Sequence, residues 1–247
     1  MGRVDEIFGW YLSKLMYEWN PIKARRKRSF YKSLIEPKDL CFDVGSHLGD
    51  RVVSWLSIGA SVVAFEPQQR FSQYLDKKFN TNSKFHLENI GLSYKEGAME
   101  FNVCQRYPTL SSLSGKDWEN RLNENSKLNI NFDSSYEIKV STLDNMISKY
   151  GLPSFIKIDV EGHESEVLKG LSQKVKYLSF EFLNFNNAEL LECLKKCESL
   201  GYTKFNWSYQ EEFKFRLDNW SPQSKVLEGI GKMDRKVFSG DIYVKGF

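Results

Sequence analysis

The chain is poor in the residues that build metal centres and disulfide frameworks. Its 247 residues include four cysteines and three histidines. Cys41, Cys104, Cys193 and Cys197 show no paired CxxC arrangement of the kind that holds zinc. Cys193 and Cys197 lie one helical turn apart, a poor placement for an unstrained disulfide, so reduced thiols in a cytoplasmic protein are expected. Long apolar runs are missing as well. Asp5, Glu6, Lys14 and Glu18 interrupt the N-terminal apolar residues, which leaves no signal-peptide core. Nothing approaches the ~20 apolar residues that span a bilayer. Gly2 does not open a myristoylation site, because position 6 is Glu. Strong charge is also absent: a net +3 is too mild to imply a nucleic-acid partner by itself.

What remains is enough for a sizeable core, since 41% of the residues are hydrophobic and 15% aromatic. The length fits one large α/β domain better than two. Ile7, Phe8, Tyr11, Leu12, Leu15, Met16 and Trp19 recur at helical spacing until Pro21 stops the run. Residues 1–35 therefore read as an amphipathic helix followed by the basic run Lys23–Arg28. The helix is expected to pack on the main domain or on a second subunit, and the basic run to be a solvated helix end. Contact with a membrane surface or a phosphate-bearing substrate stays open for that run.

Residues 36–247 read as the main domain, with insertions at about 93–135 and 208–239. Strands at 39–44, 61–66, 84–90, 154–160 and 175–182 alternate with helices at 50–58, 69–79, 163–170 and 188–200. Residues 203–207 and 241–245 complete the set. Within the first insertion, 93–105 predicts a hairpin about Lys95-Glu96-Gly97, 106–135 a long irregular loop, and 136–140 a further strand. Residues 208–239 read as irregular.

The most informative turn is Asp43-Val44-Gly45-Ser46-His47-Leu48-Gly49, between the first strand and the helix that opens at Asp50. A dinucleotide site places bare glycine-rich amides there for a pyrophosphate. A carboxylate at Asp43 would repel that group and suits a ligand with an ammonium and a positively charged sulfur. Gly45 and Gly49 allow close approach. Glu66 ends the second strand, followed by Pro67, where an acid accepts both hydroxyls of a ribose. Ser46, His47 and Asp50 complete the loop, and Asn89 and Ile90 end the third strand beside the expected base. These residues predict S-adenosyl-L-methionine as cofactor.

A second constellation is Lys157-Ile158-Asp159-Val160-Glu161-Gly162-His163. Lys157, Asp159 and Glu161 share one face of the strand, and three charges there need partners. A Lys157–Asp159 pair is expected. His163 leads as the general base because an unperturbed imidazole titrates near neutrality, with Asp159 and Glu161 as alternatives. Asp159, Glu161 and Glu181 could meet at adjacent strand ends, and oxygen ligands suit magnesium. Carboxylates in such a crevice more often bind substrate or cofactor directly, so no metal is assigned. His47 is expected to shape the methionine pocket. Ser111, Ser112 and Leu113 are expected to close over the cofactor, and Trp207, Tyr209, Phe213 and Trp220 either to face a sugar ring or to pack in a core.

In order along the chain, Asp43–Gly49, Ala64-Phe65-Glu66-Pro67, Asn89–Leu92, Ser141-Thr142-Leu143-Asp144, Ile156–Gly162 and Val167–Gly170 resemble the FkbM-type methyltransferases. The resemblance covers roughly residues 40–182. It implies a class I methyltransferase (Rossmann-like) fold: a three-layer α/β sandwich about a mostly parallel seven-stranded sheet with an antiparallel terminal strand. It also implies S-adenosylmethionine as donor and O-methylation of a sugar, glycan or secondary-metabolite hydroxyl. The helix before residue 36 and residues 208–239 lie outside it, so the acceptor does not carry over. An RNA methyltransferase is the alternative, disfavoured because no stacking motif appears. A non-catalytic nucleotide-binding partner protein is another. Oligomeric state stays open.

Overall fold

The parallel strands are built from apolar runs such as Leu40–Val44 and Phe155–Ile158, which suit burial on both faces. The computed structural model describes residues 7–14, 21–210, 212–234 and 237–247. Leu15, Met16 and Trp19 of the expected amphipathic helix lie outside the described residues, and so do Glu211, Arg235 and Lys236.

Seven strands form the main sheet: β1 (Leu40–Val44), β2 (Ser61–Phe65), β3 (Phe85–Glu88), β7 (Phe155–Ile158), β8 (Tyr177–Leu183), β9 (Lys204–Tyr209) and β10 (Ser239–Lys245). Their spatial order is β3-β2-β1-β7-β8-β10-β9. All pairs are parallel except those of β10, which runs antiparallel to both β8 and β9. This is the sheet expected of a class I methyltransferase.

Two helical layers cover it. On one face α2 (Pro21–Tyr31), α3 (Asp50–Ile58) and α4 (Gln69–Phe79) pack through Tyr31, Trp55, Leu75 and Phe79 onto Cys41, Val62, Ala64 and Phe155. On the other, α6 (Leu143–Tyr150), α7 (Glu164–Lys169), α8 (Asn187–Ser199) and α9 (Gln223–Gly231) bury Leu143, Val167, Leu194 and Val226 against Phe42, Ile156, Ile158 and Phe180. Cys193 and Cys197 sit in that second core as free buried thiols. Local signals set the helix ends. Gly59 closes α3 in the left-handed conformation, with φ 103°. Thr142 caps α6 by accepting the Asn145 amide at 3.1 Å.

The insertions carry more structure than their composition suggests. Residues 106–135 contain a 3-10 turn (Pro108–Leu110) and α5 (Gly115–Asn125), which buries Trp118 and Leu122. The expected hairpin about residues 95–97 does not pair with itself. Instead β4 (Gly91–Leu92) and β5 (Gly97–Val103) flank β6 (Ser134–Ser141) in a separate three-stranded sheet. Residues 208–239 hold α9, an element without a clear periodic signal in the sequence.

Residues 7–14 are helical (α1), and Trp10 packs on Phe71 and Tyr74 of α4 with ring centroids 5.5 and 5.2 Å apart. Pro21 begins α2, a position where its missing N–H costs nothing. The basic run is therefore helical and not uniformly solvated. Lys27 is buried and pairs with Asp50, while Arg25, Arg26 and Arg28 stay exposed.

Candidate active site

The face of the sheet beneath α2 and α3 changes character along the strands. Register aligns Cys41 with Phe155 and Phe155 with Tyr177, an apolar row. Two residues on, Asp43 lies beside Lys157, and Lys157 beside Ser179. At the carboxyl ends stand Asp159, Glu181 and Asp241, the last two directly opposed. Side-chain alternation thus turns one buried face into a charged rim where open α/β sheets bind ligands.

Arg51, in the first turn of α3, ties this rim together. Its Nε donates to Asp43 Oδ1 at 2.8 Å, one terminal nitrogen to Asp159 Oδ2 at 2.7 Å, and the other to the Gly45 carbonyl at 2.9 Å. Lys157 meets Asp241 at 2.8 Å and Asp159 at 3.9 Å. The expected Lys157–Asp159 pair is therefore present but is the longer of its two. Burial alone would raise the Asp159 pKa; Lys157 and Arg51 outweigh it and hold it down at about 2.

Asp43 consequently has a different place from the one its charge suggested. Its side chain is fully buried, faces Arg51, and does not line the cleft above the loop. It therefore offers no carboxylate to a ligand's ammonium. Gly45 keeps its expected role of close approach, toward protein instead: with φ 84°, a Cβ there would lie 1.8 Å from the Asp159 carbonyl oxygen.

The cleft above the loop encloses about 800 Å³, part of it open to solvent. Ser46, His47, Asp50, Glu66, Pro67 and Ile90 line it, as do Asp159 and Glu161. The loop's amides are largely engaged within the protein. Those of Gly45 and Ser46 donate to the Phe65 carbonyl, that of His47 to Glu66 Oε2, and that of Gly49 to the Ser46 carbonyl. A phosphate site needs such amides free. Glu66 also accepts from Gln68 N at 2.9 Å, so both carboxylate oxygens are fixed by backbone at the cleft wall. Burial raises its pKa to about 7, against the lowering effect of those two amides. His47, at φ 48°, stacks on Phe71 with centroids 4.1 Å apart, and burial lowers its pKa to about 3. Asn89 does not line the cleft; its amide braces the turn by donating to the carbonyls of Glu66 and Pro67.

His163 is displaced from the expected base position. It lines neither this cleft nor the neighbouring one, and its Nε2 lies 3.0 Å from Ser93 Oγ in a buried contact. Burial lowers its pKa to about 4. The chain turns between Glu161 (φ 59°) and Gly162 (φ 85°), which sends the two side chains apart. Residues with no sequence signal hold this turn. Ser112 Oγ donates to the Glu161 carbonyl and Ser114 Oγ to the Gly162 carbonyl, each at 2.6 Å. Glu164 accepts the amides of Val160 and Gly162. Ser111 and Leu113 line the cleft itself.

A second open cavity of about 940 Å³ shares Asp50, Arg51, Asp159 and Glu161 with the first and extends to Lys27, Glu181 and Phe213. Asp159, Glu161 and Glu181 each offer an oxygen within 4.8 Å of the others, so the three acids do converge. Trp207 and Trp220 instead pack against core aromatics.

Residues 43–204 match the Methyltransferase FkbM domain. The chain belongs to the FkbM methyltransferase family. It is 24% identical over 178 residues to the 2-O-methyltransferase NoeI of Sinorhizobium fredii, covering 67% of this chain and 70% of that protein. It is 27% identical over 148 residues to the hexuronic acid methyltransferase AglP of Haloferax volcanii, covering 59% of this chain and 55% of that one. It also resembles the solved structure of a TehB-like SAM-dependent methyltransferase from Corynebacterium glutamicum, with a TM-score of 0.48, 10% identity, and coverage of 99% and 100%. Membership of the FkbM family rests on the sequence match and not on that likeness. The family's conserved-looking loop and Ile156–Gly162 segment are the two stretches that meet at Arg51.

Replacing Arg51 with Met strands Asp43 as a buried, uncompensated carboxylate and should cost ~3–5 kcal/mol of stability. Arg51→Lys should recover only part, because one ammonium cannot reproduce a fork that serves two acids and a carbonyl. Urea unfolding measures both. A loss below ~1 kcal/mol for Arg51→Met contradicts the assigned role of the pair.

Proposed function

We propose that the first cleft binds S-adenosylmethionine and that the protein methylates a hydroxyl group of a sugar or glycan. The observation that carries the donor reading is Glu66, fixed through both oxygens at the cleft wall beside a loop whose amides are already engaged. A carboxylate with remaining lone pairs suits the two hydroxyls of a ribose, and a loop without free amides does not suit a pyrophosphate. Gly45, Ser46, His47, Gly49 and Asp50 form or border the wall expected to meet the methionine end, with Pro67 and Ile90 toward the base. Sugar acceptors are supported by the names of the two curated relatives.

When bound, S-adenosylmethionine supplies a sulfonium methyl group open to in-line displacement by a hydroxyl oxygen. The chain's own residues must align that hydroxyl and take its proton. Glu161 is the acid placed for the second task, because it lines both cavities. Burial raises its pKa, and Asp159 and Glu164 add to the rise, which makes it a stronger base than an ordinary carboxylate. Asp159 lines both cavities too, but its cations hold it ionised and weakly basic. It acts here as the fixed anchor of Arg51. His163 is left a structural part, wedged against Ser93.

Two measurements test this reading. S-adenosylhomocysteine should bind while NAD does not, and its affinity should depend on pH through Glu66. Ligand hydroxyls favour the ionised carboxylate, so binding should be full above the free-protein pKa and weaken as pH falls through it. That amounts to about a tenfold loss from pH 8 to pH 6 by proton linkage. An affinity that does not change over this range removes Glu66 as the ribose acceptor. For the chemistry, Glu161→Gln should lower kcat by ~10²–10⁴ while leaving S-adenosylhomocysteine affinity nearly intact. An unchanged kcat excludes Glu161 as the base.

A further inference from the structure

The second cavity is distinctive for what its charges already hold. Lys27 pairs with Asp50, which also borders the donor cleft. Arg51 has donors engaged by Asp43, Asp159 and the Gly45 carbonyl. Lys157, buried beneath the cavity floor, meets Asp241. Each cation near the cavity is therefore committed to an acid of the protein. Among the described residues, neither Glu161 nor Glu181 forms a salt bridge, and both face the cavity. The wall thus presents hydrogen-bond acceptors and no available cation.

One polar group inside the cavity wall has no partner. The Tyr31 hydroxyl lines the cavity on a fully buried side chain and makes no hydrogen bond. A buried hydroxyl without a partner is costly, and a ligand oxygen would satisfy it. Phe213 adds an apolar ring on the same wall, held against Phe30 and Tyr31. Acceptors, one orphaned hydroxyl and an aromatic face together match a polyhydroxylated ring, whose hydroxyls both donate and accept while its C–H face packs on the aromatic.

We propose that this second cavity binds the methyl acceptor and selects a hydroxylated ring that is neutral or bears an amine, rejecting one that bears a carboxylate. The proposal rests on the first cleft being the donor site, since the shared wall at Glu161 then lies between donor and acceptor. A carboxylate sugar entering here would face two acids and find no free cation. Like charges at an interface are a strong device of exclusion. An amine would instead gain Glu181 as a counter-ion. The N-terminal segment supplies part of the selectivity, because Lys27 and Tyr31 come from α2, ahead of the matched family residues 43–204.

The test uses the full chain loaded with S-adenosylhomocysteine, with saturation-transfer NMR on three matched probes: methyl glucoside, glucosamine and glucuronate. Titration of S-adenosylhomocysteine in the same samples reports the donor reading separately. We expect transfer to the glucoside or glucosamine, with glucuronate weaker by about tenfold or more. Glu181→Ala, which leaves the donor cleft's lining intact, should weaken the bound probe by about tenfold without changing S-adenosylhomocysteine affinity. Equal or stronger transfer to glucuronate overturns the proposal. So does a lack of transfer to all three probes, or a Glu181→Ala protein that binds them as well as the parent. If S-adenosylhomocysteine itself does not bind, the donor reading fails first and the acceptor assignment falls with it.

Discussion

The guanidinium of Arg51 is the constraint on which the rest of the site depends. Asp43 ends β1 with no exposure, and Asp159 follows β7 on the neighbouring strand, so the sheet brings two carboxylates to one end of the same face. Unneutralised, they would repel each other in a poorly solvated crevice. A planar fork can bond both acids and a loop carbonyl at once, which a lysine cannot. The first turn of α3 carries that fork, so the helix, the loop before it and two strands are fixed to one another. Desolvating three charges is expensive, and the arrangement is better seen as fixing geometry than as a net source of stability.

Two consequences follow for the chemistry. Because Asp43 is neutralised beneath the loop, its charge does not select the ligand; the engaged amides and the fixed Glu66 carboxylate do. Because Arg51 and Lys157 bear on Asp159, that acid is kept ionised and weakly basic, while Glu161, two residues on, has no such cation and a raised pKa. Neighbouring carboxylates are thereby driven toward different roles by their surroundings, a recurrent way of assigning acid–base work. The serines of the first insertion matter through backbone alone. Ser112 and Ser114 bond the carbonyls of the left-handed Glu161–Gly162 turn, and that turn points Glu161 into the shared wall and His163 away from it.

The sequence made the alternating core legible because periodicity and glycine stops are local signals. Strands 40–44, 61–65 and 155–158 and the helices at 50–58 and 69–79 lie where the pattern put them. Asp159, Glu161 and Glu181 were foreseeable as neighbours, since all three end adjacent strands. Arg51 was not. On a helix it reads as an ordinary first-turn residue, and only the β1–β7 pairing reveals two acids within its reach. Lys27 was hidden in a run of five basic residues, where burial of one member depends on α2 packing against α3. The helices α5 and α9 were missed because each buries only a few side chains, among them Trp118 and Leu122 in one and Val226 and Ile230 in the other. His163 was misjudged since strand alternation fails at the first left-handed residue, Glu161.

The account's central claim is that one arginine separates a donor cleft from an acceptor cavity, with Glu161 at the boundary. A crystal structure of the protein with S-adenosylhomocysteine tests it most directly. The account predicts ribose hydroxyls on Glu66, the sulfur directed toward Glu161, and Arg51 still bonded to Asp43 and Asp159. A nucleoside lying in the second cavity, or an Arg51 side chain released from both acids to bind the ligand's carboxylate, would contradict it.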